Sequence, residues 1–129
     1  MRRFVLAAAA VLLPVHAGLA QEATVSQAEA INRIVRCMAQ GLPADWTSAH
    51  MIVKLEHAGD STGAVQYLVA RKDAGDKLES FTPCGSDEPP SVLIGLREFE
   101  PVGRRGWTTA RLVLERDGNF RLNYDFPPK

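Results

Sequence analysis

The residues able to do chemistry in this chain are few and widely spaced. His50 and His57 lie seven apart in "HMIVKLEH" and fall on opposite parities of a strand, so one regular strand cannot turn both toward one metal ion. No cysteine or carboxylate cluster adjoins them to complete a ligand set. Ser48 and His50 are two apart and share a strand face, which sets a hydroxyl near an imidazole. Nucleophilic catalysis also needs a group that orients the base, and no such third residue is evident. Cys37 and Cys84 lack the CxxC spacing of a redox pair. In an oxidising compartment they pair as a disulfide closing 48 residues counted inclusively, the alternative being two free thiols. The acidic run "SDEPP" and the pair Glu98 and Glu100 offer charge to a basic surface or simply sit in water. These residues predict no catalytic constellation, metal or cofactor, and leave binding as the expected role.

The chain opens with "MRRFVLAAAAVLLPVHAGLA": two arginines, an apolar run from Phe4 to Val15, and small residues Gly18 and Ala20 before a cut. That is the form of a secretory signal peptide, too short in its apolar run for the roughly 20 residues of a bilayer-spanning helix. Residues 1–20 are therefore expected to be removed, which predicts a periplasmic or secreted protein without membrane insertion. Residues 21–129 would then form one domain. Losing Arg2 and Arg3 leaves 13 basic against 15 acidic residues, a net charge of −2. Nucleic-acid binding needs clustered positive charge, so this balance argues against it.

Ser26 and Glu29 have the form of a capping box, with Val25 and Ala30 as a hydrophobic staple, and predict a helix start. Ile31, Ile34, Val35, Met38 and Leu42 recur at helical spacing until Gly41, read as a left-handed cap, and Pro43 stop it. Ala49, Met51, Val53 and Leu55 alternate with Ser48, His50, Lys54 and Glu56, predicting a strand that pairs with a second carrying Val65, Tyr67 and Val69. The polar stretch "AGDKLESFTPCGSDEPP" reads as a connection. Val92, Leu93, Leu96 and Phe99 predict a short second helix with Pro89 and Pro90 in its first turn. In "RGWTTARLVLERDGNFRLNYDFPP", a three-residue loop, Arg116-Asp117-Gly118, sets Leu114 opposite Phe120, Leu112 opposite Leu122 and Ala110 opposite Tyr124. A two-residue loop would mix apolar with charged partners, so burial of one face selects the longer one, with a left-handed Gly118.

The expected architecture is α+β: a four-stranded antiparallel sheet of two hairpins, with two helices packed on one face, in the order α-β-β-α-β-β. "WTSAHMIVKLE" at Trp46 echoes "WTTARLVLE" at Trp107, matching Ala49 with Ala110, Met51 with Leu112 and Val53 with Leu114. This suggests two copies of one unit, although half-buried strands resemble one another by composition alone. The outward parity should show Trp46, His50, Ile52, Trp107, Thr109, Arg111, Val113, Arg121, Asn123 and Asp125. From these, Trp46, His50, Trp107, Arg111, Arg121 and Asn123 are the candidate partner-binding residues. Either tryptophan could instead tuck beneath a loop at a strand start.

"GWTTARLVLERDGNFRLNYDF" resembles the closing pattern of the YezG-type immunity proteins, small bacterial inhibitors that protect a cell from toxins of its own kind. Trp107, Asp117, Gly118, Phe120 and Tyr124 carry the resemblance, with "INRIVRCMAQGLPADW" and "LIGLREFE" similar in order and spacing. It implies a non-enzymatic protein that blocks a cognate toxin. That family is associated with cytosolic nuclease toxins, whereas a leader and a cysteine pair would place this inhibitor in the envelope. Two other classes stay open: an exported module holding a small ligand or cell-wall fragment between sheet and helices, and an enzyme assembled from scattered residues.

Overall fold

A computed structural model describes residues 27–128. The leader expected over residues 1–20 and the Ser26 cap with its Val25 staple lie outside the described residues. Helix α1 spans residues 27–39 and buries Ile31, Ile34 and Met38 at the predicted spacing. Burying each such side chain contributes about 2 kcal/mol. Gly41 ends the helix for a reason other than a left-handed cap, since positive φ among the glycines occurs at Gly59, Gly75 and Gly118 instead. A Cβ on Gly41 would collide with the Thr82 carbonyl. The residue therefore admits a close approach of chain. That approach is fixed next door, where Cys37 and Cys84 form a disulfide and the Cys84 N–H donates to the Cys37 carbonyl at 2.9 Å. Among the described residues, no helix is long and apolar enough to cross a membrane.

The sheet has five antiparallel strands: β1 (Trp46–Lys54), β2 (Ala64–Arg71), β3 (Leu78–Ser80), β4 (Thr109–Glu115) and β5 (Phe120–Asp125), in the spatial order β3-β2-β1-β4-β5. This corrects the expected four. Strand β3 lies inside the stretch read as connection and pairs with β2 through Val69 and Glu79. Three residues reading Leu-Glu-Ser are too few to show a period. Helix α2 (Glu88–Gly95) has proline in its first turn as expected. It tightens into a 3-10 turn, Leu96–Phe99, which leaves Phe99 44% exposed while Leu93, Ile94 and Leu96 are buried. Three residues per turn instead of 3.6 carries Phe99 off the stripe.

The β4–β5 register is the one that burial of a single face demands: Leu114 faces Phe120, Leu112 faces Leu122 and Ala110 faces Tyr124. Glu115 N–H donates to the Asn119 carbonyl at 2.8 Å, closing the loop Arg116-Asp117-Gly118 with Gly118 at φ 95°. The Asp117 carboxylate accepts from Asn119 N–H at 2.9 Å and fixes the turn locally.

Strands β1 and β4 form the centre of the sheet, pairing Ala49 with Leu114, Met51 with Leu112 and Val53 with Ala110. The sequence echo matches Met51 to Leu112, and these residues are also each other's ladder partners. The strands of the two hairpins are thus related by an approximate two-fold axis through that pair. The correspondence extends to defects in the ladder. Trp46 faces Arg71 and Ser48 faces Ala70, which leaves Thr47 as an extra residue. At the matching place, Thr109 faces Asp125 while Thr108 N–H also donates to the Asp125 carbonyl at 2.9 Å. Each bulge reverses the parity of the tryptophan before it.

Candidate protein-binding face

Those bulges correct the expected site. Trp107 is completely buried on the helix side, its ring stacked on Tyr124 with centroids 5.2 Å apart. Trp46 is half-buried and packs against the same core. Neither tryptophan belongs to the open face. Buried Trp107 Nε1 and Tyr124 Oη have no hydrogen-bond partner among the described residues. Burial, reinforced by Glu100 and opposed by Arg104, pushes the Tyr124 hydroxyl up to about 12, so it stays neutral.

The other four candidates do come together. On the face away from the core cluster, one row across the sheet runs Leu68, His50, Val113, Arg121 and the next Gln66, Ile52, Arg111, Asn123. Ile52 and Val113 form a buried apolar seam, and the exposed Arg111, Arg121, Asn123 and Gln66 flank it. Long side chains can cover apolar neighbours with their stems while their heads stay wet, an arrangement that suits an apolar seam on a face that bears no helix among the described residues. Arg121 reaches Glu115 at 3.3 Å. Among the described residues, Arg111 has no ion pair. Its guanidinium is available to a partner, five donors beside a desolvated patch. Leu68 and Gln66 join the face only through the β1–β2 register, which their sequence did not fix.

His50 sits at the middle of this surface. Its Nε2 is 3.4 Å from Ser48 Oγ, and its buried Nδ1 has no partner among the described residues. A base for Ser48 would need a carboxylate on Nδ1, and Glu115, the nearby acid, is held by Arg121. Burial lowers the His50 pKa from 6.5, Arg111 lowers it further, Glu115 opposes and Arg121 adds to the lowering. The unfolded chain therefore takes up this proton first as the medium is acidified. Stability contributed by neutral His50 is full above 6.5, falls as pH drops from there toward the folded-state pKa, and then levels. Comparing melting temperatures at about pH 7.5 and about pH 5, His50→Gln should show a smaller acid loss than the unaltered protein. Equal losses would rule out this account of His50.

Trp46 instead borders a groove of about 410 Å³ lined by Val35, Ala39, Leu42, Leu114 and Arg116. Arg116 lies over it, its guanidinium carbon 5.4 Å from the ring centre, and donates to the carbonyls of Ala44 at 2.8 Å and Trp46 at 3.0 Å. Sequence reasoning treated Arg116 only as a turn residue. Its place beside the Asp-Gly turn gave no sign that it spans to the first tryptophan. No family model matches this chain, and no curated protein matches it.

Proposed function

We propose that this chain is an exported, non-enzymatic binding protein, an immunity-like inhibitor that neutralises a cognate bacterial toxin through its open sheet face. The carrying observation is Arg111, without an ion pair among the described residues, beside the buried Ile52–Val113 seam, a polar anchor next to desolvated side chains of the kind that concentrates binding energy at protein interfaces. His50, Arg121 and Asn123 extend that surface. The resemblance of the closing hairpin to immunity proteins supports the same reading, and the Cys37–Cys84 bond accords with a periplasmic or secreted location.

The decisive experiment recovers proteins bound to the tagged chain from envelope and secreted fractions, then asks whether the captured protein is toxic without this chain and harmless with it. Arg111→Ala is expected to weaken that complex by more than about 2 kcal/mol, roughly 30-fold in Kd, a loss larger than its effect on unfolding, which comes only from the stem packing over the seam. Undiminished affinity in Arg111→Ala would remove the open face from the interface. Capture of no toxic protein would remove the inhibitor reading. The apolar groove at Trp46 favours the second reading, a periplasmic module binding a small ligand or cell-wall fragment, which would raise the melting temperature on addition of that ligand.

A further inference from the structure

The two edges of the sheet are unlike. Strand β3 is three residues long, a length that blunts an edge, whereas β5 offers six residues along its outer side. Glu115 bonds to Asn119, so the odd residues of β5 bond inward to β4 and the even ones turn N–H and C=O outward. The available edge runs from Phe120 to Phe126. Gly118 and its turn close one end, and Pro127, lacking an N–H, closes the other.

That edge reads Phe-Arg-Leu-Asn-Tyr-Asp-Phe, and its chemistry is symmetric about Asn123. We propose that β5 is a self-complementary edge that pairs antiparallel with β5 of a second copy of this chain, with a two-fold axis at Asn123. In that register Arg121 faces Asp125 of the second copy and Asp125 faces its Arg121. Leu122 meets Tyr124, each such pair exchanging two main-chain hydrogen bonds, and Phe120 meets Phe126. Phe120 and Phe126 are 46% and 38% exposed in the single chain, so both have surface to bury. A shift that moves the axis to Leu122 sets Arg121 against Asn123 and loses both charge pairs. An axis at Tyr124 loses them as well. Charge therefore selects one register, and a ten-stranded sheet follows from joining two five-stranded ones. This pairing shares Arg121, which also reaches Glu115 of its own chain, and Asn123 with the open face, but it does not depend on the toxin-binding reading.

Sedimentation equilibrium of the purified protein alone, from about micromolar to about millimolar, tests it. A monomer–dimer equilibrium is expected. Arg121→Asp and Asp125→Arg should each weaken dimerisation by at least about tenfold, because each sets like charges opposite one another twice. An equimolar mixture of the two variants should form a heterodimer, and the doubly swapped chain should dimerise again. Restoration by mixing also shows that both variants are folded. A monomer at every concentration would overturn the proposal, even if another protein's strand were found on the edge. Single swaps that dimerise as well as the unaltered chain, or swaps that neither mixing nor combination restores, would overturn it too.

Discussion

Trp107→Ala is expected to lower the unfolding free energy by about 3–5 kcal/mol, a large part of the 5–15 kcal/mol that typically holds a domain together. The ring has no exposed surface, lies against Tyr124, and belongs to the cluster joining α1, β1, β4 and the α2 segment. Removing it leaves a cavity walled by elements that already hold one another, so collapse recovers little. Trp107→Phe should cost much less, because it keeps most of the apolar volume and deletes an indole N–H that is buried without a partner among the described residues. Denaturant titration of both variants separates the two effects. Similar midpoints for Trp107→Ala and the unaltered protein would contradict the buried placement. A loss of partner binding in Trp107→Ala reports on folding, whereas the same loss in Arg111→Ala reports on the interface.

Removing the disulfide by Cys37→Ser with Cys84→Ser should cost about 2–4 kcal/mol, near the chain-entropy value of about 4 kcal/mol for a loop of this length. The bond joins the end of α1 to the segment after β3, which also rests on Gly41 and carries Phe81 against Tyr67 with ring centres 5.8 Å apart. Losing the bond leaves that segment held by two backbone hydrogen bonds, from Cys84 N–H to Cys37 and from Phe81 N–H to Tyr67, and by the Phe81 ring contact. Reductant added to the unaltered protein should reproduce the loss seen in the double substitution. A midpoint unmoved by either treatment would show that the segment stays docked without the bond and that the closed loop contributes little.

The hairpin at Gly118 was legible because two independent constraints, parity and turn chemistry, admit one register. The disulfide was legible because two cysteines offer one pairing. Strand β3 was not, since its identity comes from hydrogen bonds to β2 and its residues show no alternation. Both tryptophans were misplaced for one reason: a parity rule carried outward along a strand fails at the first bulge. Thr47 and Thr108 are those bulges, and the only trace they left was the repeated Trp-Thr in the internal echo. Four of the six candidate partner residues, His50, Arg111, Arg121 and Asn123, lie inside the regular part of the ladders, where parity holds.

The two-fold relation through Met51 and Leu112 also governs how the molecule comes apart. Each helix-hairpin unit places its inner strand against the other's, and the buried cluster draws Ile34 and Met38 from one unit and Leu93 and Leu96 from the other. Neither half owns a core. Separating β1 from β4 uncovers the apolar faces of both hairpins at once, so neither half is expected to keep its packing alone. Internal likeness, which in a stacked repeat lets units melt one by one, is here expected to give a single cooperative transition, seen as coincident unfolding curves from different probes.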